Sequence, residues 1–337
     1  VSPIPAFRSL HQRWSTLAIE LACTHALRRP WGVLDLRPWN KAANDGLSTG
    51  EVWYERPGKP TTAPSLLLKL LFTSQPLSIQ VHPDDVHAKS MGLANGKTEV
   101  WYVLSAAPRA KVALGLKREV TPQQLRGAVD DGSIADLVAW RAVSANDVIF
   151  VPAGTIHAVG AGLVIAEVQQ RSDATFRLFD YGRQRELHVE RAIAVANTGP
   201  ADVQARSSRL TDERTLLVSN PHFVFERINL APNTIWHLGA ERETWLLVLS
   251  GDAIVGSVDV ARGDAIFAHA ERVDIRTGKI GMMGLVAYAA HSPLPNLLQR
   301  LRQPDSTDAG QPKDVQAPPS LTRAAVGSAD GRMEAIQ

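Results

Sequence analysis

Four side chains with oxygen or nitrogen donor atoms lie at spacings that could hold one metal ion. Gln80 and His82 are two positions apart in Leu77-Ser-Ile-Gln-Val-His-Pro-Asp-Asp85, so on a β-strand both would project from the same face. Pro83 cannot donate to a sheet ladder and the two aspartates favour a turn, so we expect the strand to end here. A glutamine and a histidine directed into one β interior could share a cation.

Glu99 and His157 supply the other two donors. Glu99 opens the strongly apolar run Glu99-Val-Trp-Tyr-Val, where an ionised carboxylate needs a partner or a metal unless it lies in water at the strand end. His157 follows a tight Pro-x-Gly-x-x-His turn that begins at Pro152. A lone histidine at a strand end is usually a packing or surface residue, but the donors together suit Zn²⁺ with an open position.

Arg177 is the candidate for binding an anion. It lies between Phe176 and Phe179, which is an unusual setting for an idle surface arginine. A guanidinium that faces a cavity matches a phosphate or a developing enediolate. The alternative is a structural arginine paired with Glu167 or Asp173, and the sequence alone does not separate the two interpretations.

The elements that must position these residues are mostly short strands. β-Branched and aromatic runs bounded by Gly, Pro, Asn and Asp predict an antiparallel sandwich or barrel, with strands at 77–81, 100–104, 111–114, 148–151, 163–168 and 175–179. Helical interruptions are predicted at 122–129, capped by Thr121, and at 134–140 and 186–196.

The chain also repeats itself. Glu99-Val-Trp-Tyr-Val-Leu-Ser105 is echoed by Glu243-Thr-Trp-Leu-Leu-Val-Leu-Ser250 with one residue inserted, and Asn146-Asp-Val-Ile-Phe-Val151 by Gly263-Asp-Ala-Ile-Phe-Ala268. Any two strands of a β protein share such patterns, but two matched segments in the same order favour a duplication. The predicted organisation is a lead-in at 1–27, a catalytic unit at 28–185, a helical connector at 186–212, a second unit at 213–292 and a disordered tail at 303–337.

The composition excludes several classes of protein. The 337 residues are 45% hydrophobic and 21% charged, with a net charge of +2 and no basic stripe of the kind that binds nucleic acid. No run of about 20 apolar residues predicts a membrane span, and the stretch at 17–22 is interpreted as a helical lead-in instead of a signal peptide. The single cysteine, Cys23, excludes an intrachain disulfide and a cysteine zinc site and fits a reducing cytoplasm.

Four longer motifs make a family resemblance specific. Gln-x-His-Pro-Asp, Gly-Lys-Thr-Glu-x-Trp-Tyr, Pro-Ala-Gly-x-x-His-Ala and Gln-Gln-x-Ser-Asp-x-Thr-x-Arg-x-x-Asp-Tyr occur at 80–84, 96–102, 152–158 and 169–181. In these motifs the chain resembles the type I phosphomannose isomerases of the cupin superfamily, in their compact bacterial form, over residues 28–290. The resemblance implies an all-β double cupin, with two barrel or jelly-roll units and a few connecting helices. It also implies interconversion of mannose 6-phosphate and fructose 6-phosphate through an enediol.

The resemblance carries over to individual positions. It makes His82, Glu99 and His157 ligands of one Zn²⁺ per chain, with Gln80 a fourth ligand in the longer relatives. Arg177 matches the family's active-site arginine, and Lys97 matches a lysine implicated in the active site, where it would bind phosphate or assist proton transfer. The second unit departs from the pattern, because ten residues after Asp147 is His157 but ten after Asp264 is Asp274. We therefore expect the second unit to be free of metal.

Several questions stay open at the level of sequence. Glu167, Asp84 and a water on the cation are all candidates for the general base. A different cupin enzyme, such as a dioxygenase or another sugar isomerase, and a sugar-binding cupin without activity are the competing functions. The only partner predicted is a phosphorylated sugar, and the oligomeric state is not predicted.

Overall fold

The structure, a computed structural model, describes residues 19–40, 46–58, 63–201 and 206–301. The predicted disordered tail at 303–337 and the first 18 residues of the predicted lead-in lie outside the described residues. In chain order the strands are β1 (Ile19–Leu21), β2 (Cys23–Leu27), β3 (Glu51–Glu55), β4 (Leu66–Thr73), β5 (Ile79–Val81), β6 (Glu99–Ala106), β7 (Lys111–Leu116), β8 (Val138–Ala142), β9 (Val148–Val151), β10 (His157–Val159), β11 (Leu163–Gln170), β12 (Phe176–Phe179), β13 (Ser208–Arg209), β14 (Arg214–Ser219), β15 (Val224–Leu230), β16 (Ile235–Ala240), β17 (Thr244–Val255), β18 (Val258–Ala261), β19 (Ala265–Ala268), β20 (Glu271–Tyr288) and β21 (Leu298–Leu301). The helices are α1 (Asp85–Ser90), α2 (Pro122–Asp130), α3 (Ile134–Leu137) and α4 (Val189–Val195). None of the helices in the described ranges has the length and apolarity that a membrane crossing requires.

Two antiparallel sheets form the first β unit. One has the order β2-β3-β4-β11-β6-β9 and the other β12-β5-β10-β7-β8. The sheets face each other, because Val103 and Ile165 of the first pack in one cluster with Val112 and Leu114 of the second. Because side chains alternate between the two faces of each strand, every second residue points into the space between the sheets, and this unit has an enclosed interior. The all-β fold class predicted from the sequence is confirmed.

The helices cover the outer face of the five-stranded sheet. Leu125 of α2, Ile134 of α3 and Ala192 of α4 pack against Ile79 and Ala158. The predicted cap of α2 is confirmed: Thr121 accepts a hydrogen bond from Gln124 N, and the Gln124 side chain accepts one from Thr121 N. The helix predicted at 186–196 is confirmed for the seven residues of α4.

Two helix predictions are wrong. The helix predicted at 134–140 ends at Leu137, and the following residues form β8, which pairs with β7. The helical lead-in is also wrong where the chain is described, because β1 pairs with β19 and β2 pairs with β3. In both places, pairing with a distant strand satisfies the backbone N–H and C=O groups, and local secondary-structure propensity does not predict that pairing.

A ten-stranded sheet forms most of the second β unit. Its strands β14-β15-β20-β17-β19 repeat the order β3-β4-β11-β6-β9 of the first unit. The registers also correspond: Glu99 pairs with Gln169 and Val151, and Thr244 pairs with Tyr288 and Ala268. This shared order and register supports the duplication predicted from the sequence repeat.

The registers correct one detail of that repeat. The residue equivalent to Glu99 is Thr244, one position after the glutamate that the sequence echo aligns with it. Glu243 instead accepts hydrogen bonds from the backbone N–H groups of Ser65 (2.6 Å) and Leu66 (2.8 Å) at the start of β4. The sequence echo therefore marks a real repeat. Its glutamate, Glu243, joins the two β units through these hydrogen bonds and does not line the interior of the second unit.

The interior of the second unit is largely apolar. Ile228, Leu246 and Val286 pack there with Trp236 and Ile275. The buried charged side chains described there belong to one network: Arg214 binds Glu226 through two hydrogen bonds of 2.8 and 2.7 Å, and Tyr288 donates to Glu226 at 2.5 Å. The charges in this network are paired with each other, so it does not offer free ligands to a cation.

Asp274, the residue that the sequence aligned with His157, lies outside that interior. Its carboxylate contacts His237 Nδ1 at 2.8 Å, and about one third of each side chain is exposed. Because Thr244 and Asp274 do not converge in the interior, the second unit offers a poor site for a metal, and its metal-free state stays a prediction.

Candidate metal centre and its cleft

Three strands of the first unit bring two histidines and a glutamate together. His82 follows β5, Glu99 begins β6 and His157 begins β10. The Glu99 carboxylate lies between the two rings, with Oε2 3.4 Å from His82 Nε2 and Oε1 3.4 Å from His157 Nε2. One donor atom from each residue fits within 4.8 Å of the others, and all three side chains are buried. The structure thus gathers three of the predicted ligands into one possible metal-binding triad.

Backbone carbonyls fix the tautomer of both histidines. The Nδ1 of His82 lies 2.8 Å from Ala174 O, and the Nδ1 of His157 lies 2.8 Å from Thr155 O. A carbonyl only accepts, so each Nδ1 carries the proton and each Nε2 lone pair faces Glu99. Histidine ligands of metals almost always donate their other ring N–H in this way. The triad therefore fits a divalent cation in the orientation of its donors as well as in their types.

Burial keeps both imidazoles neutral. It lowers the pKa of His82 to about 3, with the positive charge of Lys97 acting in the same direction. It also lowers the pKa of His157, although Glu99 opposes this effect. A metal binds the neutral ring, so these environments favour the ligand form over the imidazolium.

Lys97 reaches into the same cluster. Its Nζ lies 2.8 Å from His82 Nε2, contacts Glu99 and is 3.9 Å from Glu167 Oε1. Burial would lower the pKa of this ammonium, but the charges of Glu99 and Glu167 outweigh it and the pKa is raised. The structure thus places a cationic Lys97 beside the triad, within reach of any ligand bound there.

Gln80 lies at the edge of the triad. It pairs with His157 across β5 and β10, and its Nε2 is 3.3 Å from His157 Nε2. Its Oε1 accepts a hydrogen bond from Ser78 Oγ at 2.9 Å. Rotation of the Gln80 side-chain amide group exchanges the positions of its Nε2 and Oε1 atoms and directs the oxygen toward the triad. A fourth ligand at Gln80 therefore stays a prediction that the geometry supports.

Arg177 faces the cleft and not a carboxylate. It lies on β12 opposite Gln80 on β5, and its Nε is buried without a hydrogen-bond partner. Burial lowers the pKa of this guanidinium, and the nearby charges of Arg185 and Arg29 add to the effect. Within the described ranges Arg177 makes no ion pair with Glu167 or Asp173. The alternative interpretation, in which Arg177 is a structural residue paired with Glu167 or Asp173, therefore lacks the ion pair that it requires.

A cleft of about 380 Å³ lies beside the triad and carries an excess of positive charge; Gln80 and Lys97, which contact the triad, are part of its lining. Six basic and three acidic side chains line it: Arg28, Arg29, Lys69, Lys97, Arg177, Arg185, Glu51, Glu167 and Asp173. A larger hollow of about 650 Å³ lies beside Trp140 and Tyr181, but its lining contains no imidazole or carboxylate. The charge and the donors together make the smaller cleft the candidate site for an anionic ligand.

The sequence interpretation missed five charged residues of this cleft: Arg28, Arg29, Glu51, Lys69 and Arg185. Lys69 lies 3.1 Å from Glu167, and Glu51 accepts a hydrogen bond from Arg29 at 2.7 Å. Lys69 is the one charged residue of β4, whose eight residues are all buried. A lysine in such an apolar strand needs a buried partner, and that signal could have identified it. Glu51 has no comparable signal.

The structure separates the two side chains proposed as general base. Asp84 caps α1 by accepting a hydrogen bond from His87 N, and about half of its side chain is exposed. Glu167 is buried in the cleft, where its Oε2 accepts a hydrogen bond from Trp101 at 3.1 Å. Burial and the charge of Glu99 raise the pKa of Glu167, with Lys69 and Lys97 acting in opposition. Glu167 is therefore the candidate base that the geometry favours.

Part of the chain is similar in sequence to curated proteins named mannose-6-phosphate isomerase. The chain is 40% identical over 166 residues to the mannose-6-phosphate isomerase of Streptococcus mutans, which is 47% of this chain and 52% of that protein. It is 38% identical over 137 residues to the mannose-6-phosphate isomerase ManA of Bacillus subtilis, covering 39% of this chain and 43% of that protein. The matched part thus spans about half the length of these curated relatives. No family model matches the chain.

The solved structures extend the similarity in fold to most of the chain. The crystal structure of the mannose 6-phosphate isomerase from Bacillus subtilis has a TM-score of 0.71 at 23% identity, over 80% of this chain and 99% of that one. A putative mannosephosphate isomerase from Archaeoglobus fulgidus has a TM-score of 0.63 at 18% identity, over 80% and 97%. The sequence comparison confirms the resemblance inferred from the motifs over about half of the chain, and the structural comparison confirms the fold.

Proposed function

We propose that this chain is a zinc-dependent isomerase that interconverts mannose 6-phosphate and fructose 6-phosphate through an enediol. The observation that carries the proposal is the buried His82–Glu99–His157 triad beside a cationic cleft. The relatives that share its sequence are named mannose-6-phosphate isomerases, which supports this substrate over other anionic sugars.

Zinc is the metal that the donor set favours. Two neutral imidazoles and one carboxylate are a common catalytic zinc set, with a further position left for Gln80, water or substrate. One such cluster is found in the described part of the chain, so we expect one ion per chain. When bound, the ion supplies a Lewis acid that stabilises negative charge on the sugar oxygens, which is worth several kcal/mol.

The side chains of the cleft have separable tasks in this reaction. Isomerisation moves a proton between C2 and C1 of the sugar, and the buried Glu167 carboxylate, with its raised pKa, would hold that proton during the transfer. Arg177 and Lys97 would place fixed positive charge near the enediolate. Arg185, which lines the same cleft, would bind the phosphate at the other end of the sugar, since a guanidinium matches phosphate geometry.

A coupled assay with mannose 6-phosphate, with and without a chelator, tests the proposal. We expect isomerase activity in the untreated protein, its loss after removal of metal by the chelator, and its return on addition of Zn²⁺. Activity that survives complete removal of metal would contradict the role of the metal. Absence of isomerase activity in the metal-loaded protein would favour a dioxygenase or a sugar-binding cupin. A location in the cytoplasm stays a prediction that rests on the single cysteine.

A further inference from the structure

Three consecutive backbone amides just before Glu99 are each held by a fixed acceptor. Gly96 N donates to Asp85 Oδ1 at 2.8 Å, Lys97 N donates to Pro83 O at 2.9 Å, and Thr98 N donates to Gln170 Oε1 at 2.9 Å. These bonds lie at the end of the loop between α1 and β6, just before the strand ladder begins with the bond from Gln170 N to Thr98 O at 3.1 Å. The position of Lys97, which precedes that ladder, therefore depends on the two side chains that supply acceptors.

Those two side chains are joined to each other. Gln170 Nε2 donates to Asp85 Oδ1 at 2.9 Å, so Asp85 and Gln170 form one continuous bridge that holds the backbone on both sides of Lys97. The orientation of the Gln170 amide follows from its partners, because its oxygen faces an N–H and its nitrogen faces a carboxylate. On the other side of the bridge, Asp85 Oδ2 lies 3.9 Å from His222 Nδ1 of the second unit.

The loop also rests directly on the segment that carries His82. A Cβ on Gly96 would lie 2.5 Å from the carbonyl carbon of Asp84 and 2.8 Å from Pro83 O, distances that real side chains do not adopt. The glycine therefore allows two backbones to touch. The bridge and this contact together hold the loop that leads into Glu99 against the segment that carries His82.

We infer that Asp85 and Gln170 are positioning residues of the metal centre. They hold the loop that carries Lys97 and leads into Glu99 against the His82 segment, and neither contacts the triad itself in the described structure. This role rests on the proposed function in so far as it concerns turnover. Partners that orient metal ligands typically account for about 10–100-fold in metal affinity or activity, and small displacements of catalytic groups have effects of similar size.

The test compares Asp85→Ala with Asp85→Asn in the full chain loaded with Co²⁺. The asparagine keeps an oxygen that can accept from both Gly96 N and Gln170 Nε2, whereas the alanine removes the acceptor. We expect Asp85→Ala to lower Co²⁺ affinity and kcat by about 10–100-fold, to change the visible absorption of bound Co²⁺ and to leave KM nearly unchanged. Asp85→Asn should restore the absorption spectrum and most of kcat. A wild-type spectrum, affinity and kcat in Asp85→Ala would overturn the inference.

Two further variants keep the result interpretable. Gln170→Leu removes the same bridge from its other end, and should reproduce the Asp85→Ala spectrum even if that variant is too unstable to measure. Asp131→Ala is the matched control, since Asp131 also accepts a backbone hydrogen bond, from Ser133 N at 2.9 Å, but lies in the turn between α2 and α3. It should leave the spectrum and kcat unchanged. If the unaltered protein shows no isomerase activity, the proposed function fails, while Co²⁺ affinity and absorption still decide the role of the bridge.

Discussion

Replacing His157 with alanine is expected to empty the metal centre and to abolish isomerisation. His157 supplies one of three donors, and its Nε2 lies 3.4 Å from the Glu99 carboxylate in a buried site. Residues that merely orient such ligands account for about 10–100-fold in affinity, so loss of a ligand should exceed that range. Metal content of the purified variant, measured by plasma emission spectroscopy, and the coupled assay check both parts of the prediction.

The second unit offers the matched control. His237 is also a strand histidine that contacts an acidic side chain, but its partner is Asp274 of the second unit, and about one third of each side chain is exposed. His237→Ala should keep one metal ion per chain and full turnover. A His157→Ala protein that retains one ion per chain would remove this histidine from the ligand set.

Replacing Arg177 with alanine is expected to lower kcat by about 100- to 1000-fold while the metal stays bound. The guanidinium faces the cleft with a buried, unpartnered Nε, so it is free to contact a bound anion, and loss of one such fixed donor commonly has an effect of this size. No atom of Arg177 is part of the triad, so metal content should be unchanged. Steady-state kinetics together with metal analysis check the prediction.

Two comparisons define the role of Arg177 further. Arg177→Lys keeps the charge but not the planar fork, so we expect it to recover part of the lost kcat. Arg126→Ala removes an exposed arginine that pairs with Glu190, and should have no effect on turnover. Turnover near that of the unaltered protein in Arg177→Ala would rule out its catalytic role.

The candidate metal ligands could be predicted because each lies in a short motif of the family that the chain resembles. His82, Glu99 and His157 each belong to a motif in which a turn or a strand period fixes the direction of one side chain. The partner of Lys69 could not be found in that way, because Glu167 is 98 positions away and the two meet only when β4 and β11 pair. The Asp85–Gln170 bridge has the same origin, since it joins a helix start to a strand end.

Strand pairing also explains the errors in the fold prediction. The repeat was visible in the sequence, but a one-residue shift in β17 decides that Thr244 and not Glu243 is the equivalent of Glu99. A one-residue shift in register moves every side chain of a strand to the opposite face of the sheet, and no local sequence pattern predicts it. β8 and β2 were missed for a related reason, because each is defined by a partner strand more than 20 residues away.

Anomalous diffraction at the zinc absorption edge, from crystals of the purified chain, is the most direct test of the metal centre. The account predicts a single strong peak about 2.0–2.2 Å from Nε2 of His82, Nε2 of His157 and an oxygen of Glu99. Absence of a peak among these three atoms in active protein, or a peak held by other residues, would contradict it.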